Sequence, residues 1–217
     1  MKRLISLAAT ALLSACASIA PTQAPLLSPF GDGTQWIVWE DIEFVTELDD
    51  HTHMSIVVPR GFVTDLASTP RSLWSLYPPF GKYLSAAILH DYLYWRQACS
   101  PEEADKIIYQ TMRDAGVDQA TQSRFYVALR AAGDKAWHDN QTEKNQGLIR
   151  VIPPNYLNQD GGLLKPTTLW PDLRNALKKA KAKEPTPHDD MQIANACKAL
   201  DKEIVVKSGI SAVVWGR

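Results

Sequence analysis

The chain has 217 residues, 45% of them hydrophobic and 22% charged, with seven tryptophans and seven tyrosines, which is enough apolar material to bury one good core and excludes a disordered chain. Lysine and arginine number 23 against 24 aspartates and glutamates, giving a formal net charge of -1. That balance lacks the basic footprint a phosphate backbone demands, so nucleic acid is excluded as the expected partner.

The first twenty residues, MKRLISLAATALLSACASIA, begin with Lys2 and Arg3, continue through an apolar run from Leu4 to Leu13 and end in small residues. This is the pattern of a secretory signal, too short to span a membrane. Leu13-Ser14-Ala15-Cys16 resembles the lipobox of bacterial lipoproteins. The resemblance implies a signal peptide over 1–16, acylation of Cys16 as the mature N-terminus and a membrane anchor made of several acyl chains. Ala17 follows, not Asp, which in lipoproteins of the enteric type implies sorting to the outer membrane, facing the periplasm. The alternative is an ordinary cleavage site that precedes a cysteine.

Without Cys16, two cysteines remain, Cys99 and Cys197, an even pair for an oxidising compartment. They make either one disulfide, closing a long loop that the chain-entropy relation credits with about 4 to 5 kcal/mol, or two buried thiols.

Residues 17–35 carry Pro21, Pro25, Pro29, Gly31 and Gly33 among small and polar residues, a composition expected of a flexible tether. The core domain is expected over 36–140. WIVWEDIEFV and MSIVVPRGFVTD are rich in β-formers and flank the polar break ELDDHTH, which predicts two or three short antiparallel strands and a hairpin, with Pro59 at a strand end. Pro70, Pro78 and Pro79 exclude a long regular element from Ser68 to Phe80.

Three helices are predicted next. The first, about Lys82 to Arg96, is apolar on nearly every side and therefore buried. The second opens on Ser100-Pro101-Glu102-Glu103, a capping box with proline at the first helical position; its apolar face is Ala104, Ile107, Ile108, Thr111 and Ala115, and Gly116 stops it. The third, about Gln119 to His138, has a predicted face of Phe125, Leu129, Ala132 and Ala136, with Gly133 marking close helix packing. Residues 141–217 read as a C-terminal extension: a loop-rich stretch, a short basic helix PDLRNALKKAKAK, and an amphipathic helix with Ile193, Cys197, Leu200 and Ile204 on one face. Lys178, Lys179, Lys181 and Lys183 form either a solvated face or a contact for anionic lipid or cell wall. The expected fold class is α+β, a small antiparallel sheet packed on a three-helix bundle with this helical extension.

The chemistry centres on AILHDYLYWRQACSPEEAD, residues 87–105. At 100° per residue His90, Asp91 and Tyr94 fall within about one quadrant of the first helix, His90 and Tyr94 one turn apart. A buried histidine and carboxylate need partners, and Asp105, across a short turn, is the candidate for His90 or Tyr94. An imidazole held by a carboxylate is a general base for water, and Asp91 with an upstream oxygen ligand such as Asp65 can hold a hard cation such as calcium. The same residues also suit a purely structural network in which Asp91 caps or pairs with Arg96 or Lys106.

The series GFVTDLASTP, HDYLY, EADKIIYQTM and ALRAAGDKAW resembles the bacterial and phage domain of unknown function 1353, over about Trp36 to His138. HDYLY followed by EADKIIYQTM is also similar to the segment of secreted bacterial phospholipases A2 in which His-Asp-x-x-Tyr begins one helix and an aspartate sits on the next. That similarity implies His90 as base, Asp91 as calcium ligand, Tyr94 as support, Asp105 as the carboxylate orienting His90, and Asp65 as the upstream loop ligand. Ala87 and Leu93 stand where that family often has disulfide cysteines, and FGKY offers only Gly81 towards a calcium loop. Three readings follow: a calcium-assisted hydrolase of envelope lipid esters; a cell-wall or peptide hydrolase with zinc or no metal; and a non-catalytic, prophage-derived envelope lipoprotein that binds a partner the sequence does not name.

Overall fold

The computed structural model describes residues 19–47, 53–66, 81–157, 164–165, 167–185 and 190–208. Cys16 and the signal lie outside the described residues, as do the tip of the polar break and the proline-rich stretch from Ser68 to Phe80.

Two three-stranded antiparallel sheets form the β part, where the sequence suggested one. β1 (Ala20–Pro21), β4 (Ile42–Glu47) and β5 (His53–Val58) make the first, in the order β1-β4-β5; β2 (Leu27–Pro29), β3 (Trp36–Val38) and β6 (Val63–Thr64) make the second, in the order β2-β3-β6. In the β4–β5 hairpin Ile42 faces Val58 and Phe44 faces Ile56, and all four are buried. Glu43 and Ser55, one position on in each strand, are exposed, so the period-two alternation sets which face meets the core.

Residues 19–35 do not form the tether their composition suggested. Ala20 and Pro21 pair with Val45 and Phe44, Leu27 to Pro29 pair with β3, and Ile19 and Phe30 are buried. Proline and glycine here shape edge strands and turns: both β1 and β2 lie at sheet edges, where a missing N–H costs no ladder bond. The packed chain therefore begins by Ile19, well before the expected boundary at Trp36.

α1 (Leu84–Arg96) is buried on nearly all sides, as its composition requires. It passes through the main core, where Ile88, Leu89, Tyr92, Leu93 and Trp95 meet Ile42, Phe44, Ile56 and Val58 of the first sheet. α2 (Pro101–Asp114) starts on the predicted box: the Glu103 N–H donates to Ser100 Oγ at 3.2 Å, and the Ser100 N–H donates to Glu103 Oε2 at 2.7 Å. Gly116, at φ +70°, ends it.

α3 runs Gln119–Asn145, about two turns beyond the predicted end. Its inward face is also different: Gln122, Tyr126, Gly133 and Asn140 are buried, Phe125 and Leu129 only half-buried, and Ala132 and Ala136 exposed. The reason lies in what the helix covers. Tyr126 meets Tyr109, and further on Gly133, Trp137 and Asn140 close on Tyr94, which turns the alanine stripe outward.

The C-terminal chain belongs to the same body. α5 (Asp190–Ser208) places Ile193, Ala196, Cys197 and Leu200 in the main core; the side chain of Ile204 lies outside the described residues. α4 (Trp170–Lys179) adds Trp170, Leu173 and Leu177 to a second core shared with Phe30, Ile37 and Val63. Glu184, after α4, accepts from the Trp95 indole at 2.7 Å and from the backbone N–H groups of Arg150 and Val151, which ties this segment to α1. Cys99 and Cys197 are joined in a disulfide, Cα atoms 5.9 Å apart, linking the α1–α2 turn to α5. Lys178, Lys179, Lys181 and Lys183 are all exposed. Among the described residues no helix is long and apolar enough to cross a membrane.

Candidate functional site

One turn of α1 brings His90 beneath Tyr94, their rings 4.1 Å apart and inclined at 37°. The capping box fixes where α2 begins and so which of its residues look at α1; Asp105, in the second turn, has 0% exposure. One of its oxygens, Oδ1, lies 2.8 Å from His90 Nε2 and accepts the Tyr94 hydroxyl at 2.8 Å. A carboxylate accepts and an N–H donates, so Nε2 is the ring nitrogen that gives its proton to this contact. His90 itself is only 6% exposed.

α3 completes this group. Gly133 leaves the space that the Tyr94 hydroxyl fills, since a Cβ there would collide with it. Three residues earlier on the same helix, Arg130 Nη1 donates to the second Asp105 oxygen, Oδ2, at 3.0 Å. Trp137 stands edge-on to Tyr94 at 5.2 Å, and Asn140 donates to the Tyr94 carbonyl at 3.2 Å. Burial first, and then the negative Asp105 beside it, push the Tyr94 phenol well above its ordinary range, so it stays a hydrogen-bond donor.

Asp91, the next residue, belongs to a different group. Thr64, fully buried in β6, donates its hydroxyl to Asp91 Oδ2 at 2.5 Å and accepts the Leu66 N–H at 2.9 Å. The Asp91 carboxyl is pushed well above the usual carboxylate range, by burial first and next by the charge of Asp65, with which it also shares a hydrogen bond; the Thr64 hydroxyl and the Arg150 charge oppose the shift. Asp91 therefore holds a proton more tightly than an ordinary aspartate does.

Two constellations thus meet on one helix: His90, Tyr94 and Arg130 around Asp105, and Thr64 and Asp65 around Asp91. The alternative partners expected for Asp91 are engaged elsewhere, Arg96 with Asp190 and Lys106 with Glu102 at 3.0 Å. The sequence reading missed Arg130 and Thr64. Thr64 stood inside the quoted GFVTDLASTP stretch, and Arg130 lies one helical turn from both Tyr126 and Gly133, a face recognisable only once the alanine stripe is known to point outward.

The donors near Asp91 are oxygens only, the kind a hard cation takes and zinc rarely chooses alone. Among the described residues no three His, Cys, Asp or Glu side chains gather as a metal-binding group, so the two carboxylates fit such an ion in kind without forming a full cage.

Residues 36–129 match the model of a family described as a protein of unknown function, DUF1353. The resemblance seen in the sequence therefore holds over this stretch, which includes Asp65, His90, Asp91, Tyr94 and Asp105. No curated protein and no solved structure matches the chain.

Proposed function

We propose that the chain is an envelope-anchored hydrolase of lipid esters, held to the periplasmic side of the outer membrane through an acylated Cys16. One observation carries the catalytic reading: a fully buried carboxylate, Asp105, takes Nε2 of His90 and the hydroxyl of Tyr94 on the same oxygen. That arrangement leaves Nδ1 as the basic nitrogen and fixes the ring that bears it.

In the proposed reaction Nδ1 removes a proton from water as the water oxygen attacks the ester carbonyl, and Asp105 stabilises the imidazolium that forms. The C–O bond then breaks, His90 returns the proton to the leaving alkoxide, and a free acid and an alcohol result. Tyr94 and Arg130 hold Asp105 in place and do not exchange protons with substrate. Asp91 and Asp65 are the residues that would hold calcium, which when bound polarises a carbonyl oxygen. The neighbouring Asp65 carboxyl, which helps to raise the Asp91 carboxyl above the usual carboxylate range, supports this assignment, because a cation would relieve the same repulsion.

A second reading has its own support. Arg130 gives Asp105 a third donor, and a carboxylate so satisfied also serves as a clamp between three helices in a non-catalytic, partner-binding lipoprotein. A form lacking residues 1–16, assayed for fatty-acid release from phospholipid micelles with and without calcium, separates the two. Turnover that needs calcium and disappears in a folded His90→Asn variant supports the hydrolase; no release from any phospholipid overturns it in favour of the clamp. Release of fragments from peptidoglycan instead, with zinc or no metal in the purified protein, moves the same site to a cell-wall substrate.

A further inference from the structure

We infer that the chain docks directly on the bilayer through the surface around Ile19 and the C-terminal end of α2, and is not held above it on a leash. The inference rests on the reading of Cys16 as the acylated residue.

Ile19 is already locked into the domain. Its side chain is 2% exposed and belongs to the main core, and its N–H donates to Asp114 Oδ2 at 2.8 Å. Gln110 Nε2 lies 2.8 Å from both Asp114 oxygens and holds that carboxylate in place. The two following residues are strand-paired, Ala20 with Val45 and Pro21 with Phe44, and the Thr22 N–H donates to the Glu43 carbonyl at 2.8 Å. Only three residue steps separate Cys16 from Ile19. Fully extended, they span about 11 Å. An acylated cysteine sits at the level of the lipid headgroups, a zone about 5 to 8 Å deep on each side of the hydrocarbon. The anchor therefore holds Ile19 within about 11 Å of the acylated residue and so at or just above the headgroups.

That surface carries cations and acids side by side. Lys82 is exposed and reaches the carbonyl of Gly116, just past the end of α2, at 3.3 Å. Arg113, in the last turn of α2, has 38% of its side chain exposed and its Nε lies 3.8 Å from Asp114 Oδ1. Two acids share this end: Asp114, held by the Ile19 N–H, Gln110 and Arg113, and the exposed Asp118, whose side chain accepts the Thr121 N–H at the start of α3, so Lys82 is the cation this end offers to an anionic leaflet. Asp105 lies nine residues before Asp114, about 14 Å along the helix axis.

The test uses the full chain, processed in a lipoprotein-sorting bacterium and reconstituted into vesicles of phosphatidylcholine and phosphatidylglycerol carrying a nitroxide on the lipid headgroup. A fluorophore is placed on Ala115→Cys, at the docking end of α2, or on Glu102→Cys, about 20 Å away at its other end. Mass spectrometry first establishes whether Cys16 is acylated. With acylation present, quenching at 115 is expected to exceed that at 102 at least about twofold, and the Lys82→Glu/Arg113→Glu variant to narrow the difference. Equal quenching at both positions on an acylated chain overturns the docking inference and leaves the lipoprotein reading standing. An unacylated Cys16 overturns both.

Discussion

Asp105 and Asp91 both meet α1, at neighbouring residues, and their surroundings are opposite. Asp105 has no exposed surface and takes hydrogen bonds from a histidine, a tyrosine and an arginine drawn from two other helices. Asp91 has a hydroxyl on one oxygen and a second carboxyl as its neighbour, and its carboxyl is pushed above the usual carboxylate range. The contrast shows how one helix turn can carry a satisfied carboxylate that fixes geometry beside a frustrated one that gains from a cation. Asp105 is fully buried and Asp91 partly so; the number and sign of the partners makes the larger difference.

Substitutions should separate the two. Asp105→Ala leaves three donors facing a void and is expected to cost about 3 to 5 kcal/mol in urea unfolding, with loss of any His90-dependent turnover. Gly133→Ala forces the Tyr94 hydroxyl off Asp105 and is expected to cost about 1 to 3 kcal/mol. The same change in a Tyr94→Phe background should be nearly neutral, because the clash is with the hydroxyl; a double-mutant cycle reads this directly, and additive costs would mean that Gly133 acts by some other route.

Asp91→Asn should move stability the other way. Asparagine keeps a donor for Asp65 without the cost of taking up a proton on folding, and is expected to add about 1 kcal/mol, roughly 2 to 4 °C in Tm for a chain of this size. Calcium should raise the Tm of the unaltered protein and leave Asp91→Asn unmoved; an equal calcium shift in both would remove Asp91 from the metal site. Arg130→Gln, on a side chain 36% exposed, is expected to cost no more than about 1 kcal/mol, and a loss as large as that of Asp105→Ala would make Arg130 the main support of the group.

Much of this contrast was legible in the sequence. His90, Tyr94 and Asp105 were linked by helical spacing and a short turn, and the Ser100–Glu103 box gave the register that makes Asp105 face them. Gly133 signalled close packing, and the hydroxyl it accommodates is that of Tyr94. What escaped were contacts fixed by tertiary placement. Arg130 was hidden by an alanine stripe that composition assigns to the core but that faces solvent, because α3 covers a polar network. Residues 19–35 were misread because proline and glycine mark both tethers and edge strands, and only pairing with β3 and β4 separates the two. The C-terminal helices looked like an addition, yet α5 carries Cys197, Leu200 and Ile193 into the main core.

The most direct test of the proposed catalytic role is the protonation state of the His90 ring, read from its imidazole ¹⁵N shifts near neutral pH. A neutral ring with the proton on Nε2, held by Asp105, and an unprotonated Nδ1 is the expected result, and the signal assigned to Nε2 should change when Asp105 becomes Asn. A proton resident on Nδ1 would leave no base to activate water and would contradict the assignment of His90 as the catalytic group.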